Sequence, residues 1–110
     1  MRTLIIVKTQ FSAVHCWPEC PFDEVSFLRY PHRHLFYVTV KFKVNHDHRD
    51  KEFLMVKNVL EKYISIAFNG KDLGSMSCET MARKIKVEMD ADYVSVYEDN
   101  ENGAEIYEED

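Results

Sequence analysis

The sequence predicts a single α+β domain of order ββααββ. Strand-period alternation fills both ends of the chain, and helix-period recurrence fills the middle. With 110 residues, no internal repeat and no linker, residues 1–110 form one domain. A chain of this size holds one core but little room for a deep pocket, so an enclosed site is expected to need a partner subunit.

Residues 3 to 15 read as the first strand, with Val7, Thr9, Phe11, Ala13 and His15 on one face. Leu4, Ile6 and Val14 give the second face apolar character too, so this strand is expected inside a sheet rather than at an edge. Cys16-Trp17-Pro18-Glu19-Cys20-Pro21 cannot continue it, because proline lacks a donor and drives the preceding residue away from helix. Residues 16 to 31 are therefore expected to be a long loop of the kind that commonly carries function.

The second strand runs from about Pro31 to Val44, where Phe36, Val38, Val40, Phe42 and Val44 alternate with Tyr37, Thr39, Lys41 and Lys43. The polar run Asn45 to Asp50 closes it. From Glu52 the period changes, since Phe53, Val56, Leu60, Ile64 and Ala67 recur at three and four, and Asn69-Gly70 supplies the stop. Ser77 is placed to cap a second helix with Glu79 in its first turn and Cys78, Met81, Ala82, Ile85 and Met89 on one face. Tyr93 to Glu98 returns to strand spacing. Asn102-Gly103 is the expected hairpin turn, before a short strand from Ala104 to Tyr107.

Charge and composition narrow the function. Fourteen basic residues stand against nineteen acidic ones, a net charge of −5, with the acid concentrated from Asp90 to Asp110. No basic stripe with interleaved aromatics marks a nucleic-acid binder. No apolar run is long enough to span a bilayer, and Leu4-Ile5-Ile6-Val7 is too short for a signal peptide, so a cytoplasmic protein with no membrane partner is expected. Three cysteines, an odd number, suit a reducing compartment better than a disulfide framework.

The chemistry concentrates in the histidines. His32 and His34, at i and i+2, lie on one strand face continuous with the apolar row, so their imidazoles can converge. His15 ends the matching row of the first strand. Three imidazoles without an obvious fourth ligand form the pattern of a zinc site with an open position, although isolated histidines are ordinarily surface or satisfied core residues. His46 and His48 repeat the spacing but lie roughly 40 Å along the strand from His34 at about 3.3 Å per residue, and a solvated turn explains them. Cys16 or Cys20 with His15 and His32 would make a closed structural site instead. Glu98 continues the row of Val94 and Val96, so a carboxylate stands where an apolar side chain is expected. Either the strand has ended and Glu98 is solvated, or it anchors a ligand offering two adjacent N–H donors.

Phe11-x-Ala13-x-His15, His32-x-His34, Glu52-Phe53 with Lys57, Cys78-Glu79-x-x-Ala82, Val94-x-Val96-x-Glu98 and Ala104-x-x-Tyr107 occur in this order across nearly the whole chain. Together they resemble the 6-pyruvoyl tetrahydropterin synthase and 6-carboxytetrahydropterin synthase family of the tunnelling fold, as a divergent member. The resemblance implies an antiparallel sheet with two helices on one face, assembled as a homo-oligomeric barrel, trimer or hexamer, with sites between subunits. It implies zinc on His15, His32 and His34, Glu98 gripping the aminopyrimidinone edge of a pterin-like ligand, and a lyase in a queuosine- or biopterin-type pathway.

Departures from the family pattern bear on turnover. Arg33 stands where the family carries glycine between the histidines. No cysteine lies a few residues before His32, the nearest upstream being Cys20, twelve residues away. Between the helices no Asp-His pair occurs, and Asp72 is the acid left there. Cys20 and Asp72 are thus the candidate catalytic residues of a zinc-dependent synthase acting on a reduced pterin of the dihydroneopterin triphosphate class. The alternative is a non-catalytic zinc-containing binding protein for a pterin, deazapurine or purine-like metabolite.

Overall fold

A computed structural model describes residues 1–109, leaving Asp110 of the acidic tail outside the described residues. The alternating segments form β1 (Leu4–His15), β2 (His32–Lys43), β3 (Tyr93–Glu98) and β4 (Asn102–Tyr107), and the helical period forms α1 (Phe53–Ala67) and α2 (Cys78–Met89). All four strands make one antiparallel sheet in the order β1-β2-β3-β4. Both helices cover one face, α1 against β1 and α2 against β3 and β4. Leu60 and Ile64 of α1 and Met81, Ala82 and Ile85 of α2 are buried there against Val7, Phe11, Val38, Val40, Val94 and Val96. Phe11 stacks between Phe36 and Phe68, with ring centroids 5.1 and 5.4 Å away.

The helix ends follow from their residues. Glu52 caps α1 by accepting the Leu54 and Met55 N–H groups, and the Ser77 hydroxyl accepts the Thr80 N–H at 3.2 Å to start α2. Between the helices, Gly70 takes a φ of +74°, open to glycine without strain. The segment it begins lies along the end of β1: Gly70 donates to the Ser12 carbonyl, Val14 to Lys71, Leu73 back to Val14, and Cys16 to Gly74. This strap brings the start of α2 against the end of β1, where His15 stands.

Three expectations are corrected. First, β1 is an edge strand. Its second-face residues Leu4 and Ile6 are 43% and 50% exposed, so the apolar character of that face does not come from a neighbouring strand in the same chain. Second, the stretch 16–31 is not simply loop. Asp23–Arg29 winds into 3₁₀ turns, with Arg29 Nε donating to the Cys20 carbonyl at 2.9 Å. The prolines of this stretch, Pro18, Pro21 and Pro31, all precede Asp23 or follow Arg29, so nothing prevents helical turns between them. Third, the hairpin turns at Asp99-Asn100, both left-handed with φ of 52° and 59°, and the Glu101 N–H closes the turn onto the Glu98 carbonyl. Asn102 and Gly103 are already in β4, opposite Glu98 and Tyr97. Gly103 is required for a different reason, since a Cβ there would collide with the Val96 carbonyl oxygen and the Tyr97 ring.

Candidate metal centre

The register of the first hairpin brings the histidines together. His15, last in β1, lies directly opposite His32, first in β2, while His34 pairs with Ala13, and all three project to the helix-covered face. Beneath them the Phe36 ring packs edge-on against His15 and His34, at 5.3 and 5.8 Å. Pairing of β2 with β3 then sets Glu98 opposite Phe36, on the same face. The ligand atoms of His15, His32, His34 and Glu98 all lie within 4.8 Å of one another. Glu98 Oε2 is 2.9 Å from His15 Nε2 and 3.4 Å from His34 Nε2.

The outer ring nitrogens decide the protonation of the inner ones. Nδ1 of His15 meets the Met76 carbonyl at 2.8 Å, Nδ1 of His32 meets the Tyr30 carbonyl at 2.9 Å, and Nδ1 of His34 meets Asp99 Oδ2 at 2.6 Å. The hydrogen bond from His34, followed by the Leu35 N–H, holds the Asp99 carboxyl below its ordinary range, so it too is an acceptor. Each Nδ1 is therefore the donor, and in a neutral ring Nε2 is left as a bare lone pair. Nε2 of both His15 and His32 is buried with no hydrogen-bond partner. One proton shared between His15 and Glu98 would leave His32 Nε2 orphaned, whereas a cation at the centre engages all four groups. With bonds of about 2.0–2.1 Å, ligands at the corners of a tetrahedron are about 3.3–3.4 Å apart; the Glu98–His34 spacing is 3.4 Å, the Glu98–His15 spacing 2.9 Å, and the whole set lies within 4.8 Å. The donor set of imidazoles and a carboxylate suits zinc.

Asp99 was not singled out by the sequence, yet it orients His34 and fixes its tautomer as carboxylates behind metal-bound histidines do. Its second oxygen accepts the Leu35 N–H at 3.1 Å, and its own N–H donates to the Leu35 carbonyl at 2.7 Å. Its left-handed φ was readable only as a turn preference for Asp and Asn. Asp99→Ala is expected to weaken zinc binding by about 10–100-fold, read by competition with a chelator. An unchanged affinity would remove Asp99 from the centre.

The histidines open onto a cavity of about 530 Å³, walled by Trp17, Leu28, Met76, Cys78 and Glu98. Trp17 is held there by its backbone N–H donating to the Leu28 carbonyl. Burial, and then the Glu98 and Glu79 carboxylates, push the Cys78 thiol up to about 12, so at neutral pH it is neither a thiolate nor a base. Cys16 also reaches the cavity and is half-buried. Cys20 does not reach it: buried at 3% exposure, its thiol faces the Phe22 and Val25 carbonyls. Asp72 is turned into the strap, accepting the Gly74 N–H at 2.9 Å, and likewise does not line the cavity of its own chain. His46 and His48 stack on each other at the far end of β2, and among the described residues they join no metal-capable group.

The fold and this centre define an α+β protein in which three imidazoles and one carboxylate converge as a group that could hold a metal ion, beside a small-molecule-sized cavity. Its architecture is that of 6-pyruvoyl tetrahydropterin synthase. The enzyme of that name from Caenorhabditis elegans is 13% identical, with a TM-score of 0.77 over 99% of this chain and 97% of the other. An uncharacterized protein of Wolinella succinogenes is 11% identical, with a TM-score of 0.75 over 99% of both chains. At these identities the likeness is one of fold. No protein-family model matches the sequence, and no curated protein does. Among the described residues no helix is long and apolar enough to cross a membrane.

Proposed function

We propose that this chain is a zinc-dependent protein of the 6-pyruvoyl/6-carboxytetrahydropterin synthase type, acting on a reduced pterin of the dihydroneopterin triphosphate class. The observation that carries the reading is the convergence of three imidazole Nε2 atoms and the Glu98 carboxylate at the wall of the cavity. His15, His32 and His34 hold the ion. When bound, zinc acts as a Lewis acid on a substrate oxygen. Glu98 accepts the paired N–H groups of an aminopyrimidinone edge, while Trp17 and Leu28 line the cavity beside it. A cavity of about 530 Å³ is within the range for ligands of this size.

A second reading, capture of a pterin, deazapurine or purine-like metabolite without turnover, is favoured by the state of the proton carriers. Within one protomer the Cys78 thiol is held neutral and neither Cys20 nor Asp72 lines the cavity. A positioned acid or base typically contributes about 10²–10⁴ in rate, so its loss impairs chemistry far more than binding. The homo-oligomer, a trimer or hexamer in the cytoplasm, is part of the proposal. It is supported by the exposed edge of β1 and by the apolar Leu4 and Ile6 beside it, surface that a neighbouring sheet would cover.

The experiment is zinc analysis and sedimentation of the purified protein, with calorimetry and turnover assays on dihydroneopterin triphosphate. The expected result is a multiple-of-three oligomer with about one zinc per chain that binds the pterin. Glu98→Ala is expected to weaken that binding by roughly 1.5–3 kcal/mol, the worth of a charge-assisted hydrogen bond. Turnover lost in Asp72→Asn would give Asp72 the catalytic role, supplied across a subunit boundary, and turnover lost in Cys20→Ala would mean that the 16–31 segment moves the buried thiol into the cavity. Binding without turnover would establish the second reading, and zinc without any binding would end both.

A further inference from the structure

We propose that the helix-free face of the sheet carries a second site, built from Lys8, Lys41 and the hydroxyls between them, that binds a phosphate group or a short polyphosphate. Both helices and the converging histidines lie on the opposite face, so the inference stands apart from the metal centre and from the function proposed above. Where Val7, Val38, Val40, Val94 and Val96 point into the core, the residues that alternate with them point the other way. Strand pairing sets Lys8 opposite Thr39 and Thr39 opposite Ser95, and one row along it sets Tyr37 opposite Tyr97. Lys41, two residues beyond Thr39, is the diagonal neighbour of Lys8, about 7–8 Å away at the backbone. These side chains line a concavity of about 290 Å³, and no carboxylate lines it.

A solvated sheet face pairs opposite charges across its strands and avoids like ones. Here two ammonium groups share one concavity, and the carboxylate of Glu105 on the same face of β4 does not answer them. It accepts the Tyr93 hydroxyl and stands outside the concavity. Lys41 Nζ lies over the Tyr93 ring, 4.2 Å from its centroid, a contact that orients the ammonium without neutralising it. Among the described residues the Lys8 ammonium and the Tyr37, Thr39 and Tyr97 hydroxyls have no hydrogen-bond partner. Two cations and several unengaged hydroxyl donors around one space are the complement of a group with several anionic oxygens. Size and charge select the occupant. The volume lies at the lower limit for organic ligands and matches phosphate or a short chain of phosphates. A polynucleotide would meet the net charge of −5 over the rest of the molecule.

The test is calorimetry of the full chain, purified without phosphate and titrated with inorganic tripolyphosphate at low ionic strength. Saturable binding is expected, weakening as sodium chloride is added. Lys8→Gln and Lys41→Gln are each expected to lower the affinity by roughly 10–100-fold, as for loss of a charge-assisted hydrogen bond. Tyr37→Phe, which removes one hydroxyl and keeps the ring, is expected to lower it by about 2–10-fold. Lys62→Gln, an equal change of net charge at an exposed position of α1, should leave the affinity unchanged. A loss in Lys62→Gln as large as that in Lys8→Gln would mean that the anion reads only net charge, and would overturn the site. The variant with His32 and His34 both replaced by alanine should bind tripolyphosphate as the wild type does. Binding lost there would put the anion at the histidines, and wild-type protein that gives no saturable heat would equally overturn the proposal.

Discussion

Replacing His32 and His34 together by alanine is expected to reduce bound zinc from about one ion per chain to none, as read by metal analysis of the purified protein. The pair supplies two of the three imidazoles, and the site that remains, His15 with Glu98, offers too few donors to outcompete a chelator. The apparent worth of a structural zinc site at neutral pH is on the order of 10–16 kcal/mol, shared among its ligands, so losing two removes the site rather than weakening it. Replacing His46 and His48 is the control. His46 is half-exposed, its Nε2 lies 3.5 Å from Asp50 Oδ1 across one turn, and among the described residues it belongs to no cluster of three metal-capable groups. Zinc should therefore stay at the wild-type level in that variant. Undiminished zinc in the His32/His34 variant would refute the centre.

Phe36→Ala is expected to cost about 3–5 kcal/mol in urea unfolding, the range for deleting a buried phenylalanine side chain. Phe36 is fully buried, stacks on Phe11, and touches two of the three converging imidazoles edge-on. Domains of this kind are stable by about 5–15 kcal/mol in all, so this one residue carries a large share. The variant reports on more than the core, because the cavity opens under the histidines. An ion held by the proposed centre binds only the folded state, so adding zinc should raise the stability of the variant through mass action if the imidazoles still converge. A loss below about 1 kcal/mol would mean that the ring is not packed as described.

The position of Cys78 illustrates why one cysteine cannot stand in for another. It lies against the cavity, but its thiol is surrounded by apolar core and two carboxylates, each of which penalises a thiolate. A reactive cysteine needs the opposite setting, a nearby cation or a helix N-terminus not offset by negative charge. Cys78 begins α2, but burial first, and then the Glu98 and Glu79 carboxylates, keep its thiol protonated there.

What the sequence determined by itself was everything with a short period. Alternation in Phe36, Val38, Val40 and Phe42 and the three-four recurrence in α1 and α2 follow from local geometry, as does the placement of His32 and His34 on one face and of Glu98 in an apolar row. Ser77 announced its helix because capping is a contact within one turn. The tertiary structure alone decided what depends on pairing between distant segments. Leu4 and Ile6 looked like the interior of a sheet because burial by a neighbouring strand and exposure at an apolar edge leave the same residues in the chain. Asn102-Gly103 has the composition of a turn, but the register with Tyr97 placed Gly103 where a side chain would not fit and moved the turn to Asp99-Asn100. The carbonyl of Met76 lies 61 residues from His15 and the carboxylate of Asp99 lies 65 from His34, and a hydrogen bond across such a distance has no local trace. Together with the local bond of His32 to the Tyr30 carbonyl, those bonds turn three histidines into three lone pairs facing one point, because a ring nitrogen's proton is assigned by its partner.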